Sequence, residues 1–282
     1  MLDTVLLALV ASLCWGTADF TAGLKARTVP LPVVLLISQG VGLPLGVLLV
    51  VLSGRSFPGA GPALASLGAG FGVIGGLACF YRALSSGTMS VVAPIAATGV
   101  TIPVLVGVLS GDHLAPIQVL GMCAAVLGVV LSSRHPGSDP TSADRRLHRR
   151  AIRLALCAAV AFGSYFLLAH IGARGGVGWL LLLAHVTSVF PILGVVLVRS
   201  AQRASPRRDL GVVAMAGVLD FAATGLYGLA NRHGQLSIVA VVGSLYPVAT
   251  VLLARTVLSE RVARVQALGV GLALAGVALI AA

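Results

Sequence analysis

Ten stretches of the chain are apolar and nearly free of charge, and each is about twenty residues long. No other feature restricts the fold as strongly. A run of ~20 apolar residues matches the hydrocarbon thickness of a bilayer, and as a helix it satisfies its own backbone hydrogen bonds. The runs predict helices at about 4–24, 31–52, 63–82, 90–110, 115–133, 151–171, 177–198, 210–230, 237–257 and 264–281. Composition agrees: 58% of the 282 residues are hydrophobic and 10% are charged. Soluble domains have ~45–50% apolar and ~25% charged residues. The N-terminal run follows Met1-Leu2-Asp3 with no basic leader and continues into further runs. It reads as a first membrane helix rather than a cleaved signal.

The longest connection, about 134–150, is polar and basic and contains Pro136, Gly137 and Pro140. It divides the chain nearly in half and reads as a linker between a first repeat, 3–133, and a second, 151–282. A shift of about 147 residues brings Trp15-Gly16 onto Phe162-Gly163. The same shift places Ala83, Gly87, Ser90, Val92 and Ala93 on Ala230, Gly234, Ser237, Val239 and Ala240. With one extra residue, Asp112 falls on Glu260, Gln118 on Gln266, Gly121 on Gly269 and Gly128 on Gly276. Five helices per repeat is an odd number, so the second repeat starts on the opposite side of the membrane. The expected fold is an all-α membrane protein, with ten transmembrane helices arranged as two inverted five-helix repeats. Secondary transporters use such repeats and place the substrate near the midplane between them.

The formal charge is +11. In a soluble protein this would suggest nucleic-acid binding. Here the arginines sit in short loops and offer no continuous basic face. Membrane lipids are therefore the expected partners of this charge, and nucleic acid is not. With alternating helices, 16 Lys and Arg fall on the side opposite the termini and 3 on the same side. The positive-inside rule then places both termini outside. Cys14, Cys79, Cys123 and Cys157 lie in apolar runs without CxxC spacing, so neither a disulfide framework nor a metal site is expected.

Three motif stretches resemble the EamA-type branch of the drug/metabolite transporter superfamily. The first is Trp15-Gly16-Thr17-Ala18-Asp19-Phe20, with Gly23 and Ala26-Arg27 following. The second runs from Ala83 through Gly87-Thr88-Met89-Ser90-Val91-Val92-Ala93-Pro94 to Gly121 and Gly128. The third is its second copy, from Gly234 through Ser244-Leu245-Tyr246-Pro247 and Ser259-Glu260-Arg261 to Gly276. The resemblance implies a ten-helix carrier of the bacterial inner (plasma) membrane that moves small metabolites, often outward, by alternating access. It also implies cytoplasmic termini, against the charge tally. Gly111-Asp112-His113 departs from the family's Gly-Glu-Arg, Pro94 has no counterpart at Val241, and Pro247 faces Val100.

Asp19 and Asp220 lie inside predicted spans. An Asp at the centre of a membrane helix costs ~2.5–3.5 kcal/mol on insertion scales, so it faces a polar interior or a partner. Both are candidates for proton coupling and for holding a cationic substrate group. The alternatives are a structural carboxylate bonded to a neighbouring helix and, for Asp19, an ion pair with Lys25 or a loop arginine. Trp15, Tyr165 and Tyr246 are candidates for a substrate cavity, offering apolar faces with one polar tip each. With the two acids they complete the expected substrate-binding set. Tyr227 and Trp179, near helix ends, read as headgroup-belt positions. His185 reads as a neutral imidazole satisfied by a neighbour, with a proton relay as the alternative. Pro94, Pro103 and Pro247 interrupt apolar helices and are gating candidates.

No Gly-x-x-x-x-Gly-Lys motif occurs, so no nucleotide and no other cofactor is expected. The leading expectation is a secondary exporter of an amino acid, nucleoside or drug-like compound, driven by protons or by the substrate gradient. A small-molecule substrate is then its partner, and a homodimer is the candidate assembly. A channel or scaffold, or a membrane enzyme, is the alternative. The best enzyme-like cluster, His135 to Asp139, lies in the linker and fits no mechanism.

Overall fold

A computed structural model describes residues 2–86, 92, 95–132, 142–198, 207–257 and 264–281. All regular structure among them is helical. The first half holds α1 (Leu2–Lys25), α2 (Leu31–Gly40), α3 (Gly42–Ser53) and α4 (Ala60–Ser86). A 3-10 turn (Thr98–Val100), α5 (Thr101–Leu109) and α6 (Pro116–Ser132) complete it. The second half holds α7 (Ser142–Ala173), α8 (Val177–Val198), α9 (Arg207–His233), α10 (Leu236–Gly243), α11 (Tyr246–Val257) and α12 (Arg264–Ala281). Six helical stretches are long and apolar enough to cross a membrane: Leu2–Lys25, Leu31–Ser53, Ala60–Ala83, Arg150–Ala173, Val177–Leu197 and Asp209–His233. Four shorter apolar stretches accompany them, Ile95–Leu109, Pro116–Leu131, Leu236–Thr250 and Ala267–Ile280.

The proline effects are local. The second apolar run divides at Val41, between α2 and α3. Pro44 lies three residues on, and its ring crowds the carbonyl of residue 40, four positions back. Pro103 and Pro247 fall in the first turns of α5 and α11, where a missing N–H costs least. The interruptions lie upstream of them, at the 3-10 turn and at Ser244–Leu245. Pro94 lies outside the described residues. α7 begins at Ser142, inside the 134–150 connection. The stretch from Ala143 to Arg149 is rich in good helix formers and extends the following helix backward.

Helices from the two halves pair in a reciprocal pattern. α1 packs on α9, and α4 on α7; α3 packs on α8, and α6 on α12. Corresponding helices run antiparallel. Gly42 meets His185 and Gly46 meets Leu182 where α3 crosses α8. Along α6, Gly121 abuts Gly276 of α12, and Gly128 abuts Gly269 and Ala273. Those four glycines are the two pairs that the sequence repeat aligns, and they touch crosswise, as a two-fold axis between the halves requires. Gly16 and Gly163 form a second such set. Gly16 lies against the backbone of Tyr246 and Thr250, and Gly163 against Gly99 and Ile102. A Cβ at any of these positions would collide with the facing helix, so small residues set the approach.

The helix ends are tied by polar contacts. Lys25 Nζ pairs with Asp209 Oδ1 at 2.6 Å, joining the end of α1 to the start of α9. Asp112 Oδ2 accepts from the backbone N–H of Ser237 at 2.9 Å and from its hydroxyl at 2.7 Å. It thus satisfies one of the orphan donors that open α10. Many large apolar side chains, Leu52, Leu64, Phe71, Leu109 and Leu268 among them, point outward. In water this surface would be a liability, whereas in a bilayer it is the solvated face.

Candidate functional site

One cavity lies among helices of both halves. It is lined by Trp15 and Asp19 from α1, Val73 and Leu77 from α4, and Phe162, Tyr165 and Phe166 from α7. Asp220 of α9 and Tyr246 of α11 close it. Its volume is about 30 Å³. A water needs roughly 10–15 Å³ on that measure, so this conformation has room for about two waters and no metabolite. Trp15, Asp19, Tyr165, Asp220 and Tyr246 were each singled out separately in the sequence, and the structure brings all five onto this one wall.

The two carboxylates are held differently. Asp19 is buried, and Oδ1 accepts from the Tyr81 hydroxyl at 3.0 Å. Lys25, an expected partner, is instead engaged by Asp209. Asp220 is half-buried, and Oδ2 accepts from the Gln39 side-chain amide at 3.0 Å. The Trp15 indole and the His185 imidazole also approach it closely enough to interact. The two carboxylates are near enough to repel each other.

The aromatic wall is a packed cluster. Trp15 meets Tyr165 and Phe166 edge-on, with ring centroids 5.9 and 5.6 Å apart. Tyr227 packs on Trp15 at 5.4 Å and stacks on Tyr165 at 6.4 Å. Tyr227 is fully buried, which corrects its reading as a belt residue. It follows Asp220 by seven residues, two helical turns, and so faces the same interior. Its hydroxyl donates to the Phe166 carbonyl at 3.3 Å. The Tyr165 hydroxyl donates to Thr224 Oγ1 at 3.1 Å. The Tyr246 hydroxyl is buried and has no hydrogen-bond partner among the described residues. Trp179 does sit at a helix end, donating to the Arg55 carbonyl at 3.2 Å and packing on Phe57.

His185 is half satisfied. Its Nδ1 bonds the Leu181 carbonyl at 2.7 Å, while Nε2 is buried without a hydrogen-bond partner among the described residues. Its ring rests on Gly42, where any side chain would displace it. Gln39 and Gly42 flank the break in the second apolar run, so that break positions both the amide and the imidazole beside Asp220. Gln39, Tyr81, Phe162, Phe166 and His185 are parts of this neighbourhood that sequence reasoning did not assign to it. Gln39 was detectable as a lone amide in an apolar run, and such a group demands a partner in lipid. Among the described residues no group of His, Cys, Asp and Glu has the geometry to hold a metal ion.

Two repeats of apolar helices closing on one cavity match a multi-pass membrane transporter of the drug/metabolite type. The chain belongs to the EamA-like transporter family, whose model matches residues 3–134 and again residues 149–282. A solved crystal structure, described only as that of a protein, is similar over 98% of this chain and 95% of its own. It has a TM-score of 0.78 at 19% identity, and it shows the fold alone. No curated protein matches the chain.

Proposed function

We propose that the protein is a secondary carrier that exports a small metabolite across the bacterial plasma membrane by alternating access. Its ten apolar segments act as ten spans in two inverted repeats, 3–133 and 151–282, joined by the 134–150 connection. The observation that carries the reading is the cavity: five helices from both repeats meet at one aromatic, doubly acidic pocket. The antiparallel pairing of α3 with α8 and of α6 with α12 supports inversion. A cavity of about 30 Å³ is too small for a metabolite, so it must widen before substrate enters.

Asp19 and Asp220 are the coupling groups of this carrier. The titratable side chains that interact with Asp220 are Asp19, His185, Tyr81 and Tyr165, and none lies on the helix that carries it. Proton binding at this cluster would relieve the repulsion between the acids and couple the outside–inside transition to a proton gradient. Pro103 and Pro247, at the starts of α5 and α11, mark the segments proposed to gate the cavity. Pro94 belongs to the same proposal by sequence.

The test compares extracellular metabolites from cells expressing wild type, Asp220→Asn and empty vector at matched membrane levels. Accumulation of one compound class outside the wild-type cells alone is the expected result. Profiles identical to empty vector contradict export. Collapse of the proton gradient with an uncoupler should abolish the accumulation if protons drive it.

A further inference from the structure

The charges and rings around the cavity specify what it can hold, given the carrier reading on which this inference rests. Asp19 and Asp220 contribute two carboxylates, and among the described residues no Lys or Arg lines the wall. The hydrogen-bond donors held on the acids are a phenol, from Tyr81, and an amide, from Gln39, both neutral. His185 stands behind Asp220, and even if protonated it would leave one carboxylate unmatched. An interior acid pair with no Lys or Arg partner among the described residues favours protons or a positively charged ligand.

The rest of the wall favours the ligand. Trp15, Phe162, Tyr165, Phe166 and Tyr246 present ring faces and edges around the same space. Aromatic faces attract ammonium groups, most strongly where water is excluded. Tyr246, whose buried hydroxyl has no hydrogen-bond partner among the described residues, adds a polar group to the lining. Anions gain nothing here: the described wall carries no Lys or Arg, and both acids would repel a carboxylate or phosphate. A zwitterion would gain at its ammonium and lose at its carboxylate.

We propose that the substrate is a small organic cation, a protonated or quaternary amine carrying an apolar or aromatic group and no carboxylate. Its nitrogen binds between Asp19 and Asp220, and its apolar part packs against Trp15 and the α7 aromatics.

Trp15 is itself a reporter. In a Trp179→Phe background it is the sole tryptophan. The purified protein is titrated with 2-phenylethylamine, phenylalanine and 3-phenylpropionate, three probes with one ring and different charge. The amine should change Trp15 emission saturably, phenylalanine should bind at least about tenfold more weakly, and the acid should give no change. Asp220→Asn should weaken amine binding about tenfold or more, and Asp220→Glu should restore most of it. Thermal unfolding of each variant confirms that it is folded. Equal or tighter binding of phenylalanine or phenylpropionate overturns the cation assignment, as does absence of any amine response in the folded wild type. Either result leaves the carrier reading to the efflux comparison, which reads export without regard to substrate charge.

Discussion

The two halves share a scaffold but differ in the groups they bring to the cavity. Gly16 and Gly163 occupy equivalent positions, and each packs against the other half's fourth apolar segment. Gly121 with Gly276 and Gly128 with Gly269 repeat the same crosswise logic at α6 and α12. At the cavity the correspondence fails in chemistry while it holds in position. Trp15 stands where the second half has Phe162, Asp19 where it has Phe166, and Val73 where it has Asp220. All six of these residues line the cavity. Both halves therefore build the walls, but the first places its acid on its first helix and the second on its third. Close packing tolerates few residue types and keeps the glycines paired. At the cavity wall the two halves carry different residues at matching positions, so the lining is asymmetric.

The largest predicted effect separates the two acids. Asp220 is half-buried and accepts from the neutral Gln39 amide, so its charge is available to the cavity. Hydrogen bonds to charged groups contribute ~1.5–3 kcal/mol, so Asp220→Asn should reduce transport roughly ten- to a hundredfold. Asp19→Asn should cost less, because Asp19 is more buried and bonded to Tyr81. Initial efflux rates at matched expression measure both, and equal losses would show the two acids to be interchangeable.

The scaffold is tested by Gly16→Val and Gly163→Val. Overpacking costs ~1–3 kcal/mol, so both should lower the unfolding temperature in detergent, and by similar amounts. A silent change at one of them would break the correspondence between the halves. Next in size, Tyr81→Phe removes the donor to Asp19, at a cost of ~1–3 kcal/mol if that buried oxygen stays unsatisfied. Tyr165→Phe removes only a neutral bond to Thr224 and should cost ~1 kcal/mol. Thermal unfolding should rank them in that order.

The smallest effect lies at the Lys25–Asp209 pair. Its side chains keep 25% and 20% of their exposure, so a double-mutant cycle should give ~0–1 kcal/mol and weaken with salt. A larger coupling would mean that this contact, and not the glycine seams, fastens α1 to α9.

Most of the architecture was legible in the sequence because lipid leaves few options. Charge-free runs mark helices, and the 31–52 and 237–257 runs each differ from the structure chiefly by an internal break. The linker boundary was less legible, since Ser142 to Arg149 carries charge without losing helix propensity. At the cavity, intramembrane acids and polar-tipped aromatics were visible because each is costly in hydrocarbon. Gln39, Tyr81 and His185 escaped because their significance depends on which helix they face. Helices that are apolar all round carry almost no periodic signal to reveal that face. Tyr227 misled for a related reason: closeness to a helix end along the chain does not fix the direction of the ring.

Alternation of access at this one cavity is the central claim, and Val73 offers the most direct test. It lines the cavity and is neither acid nor aromatic. In a background with Cys14, Cys79, Cys123 and Cys157 replaced, Val73→Cys is exposed to a membrane-impermeant thiol reagent. The reagent is applied to one face in right-side-out vesicles and to the other in inverted vesicles. The account predicts labelling from both faces, each slowed by the exported compound. Labelling from one face only, or from neither in a protein that still exports, would contradict it.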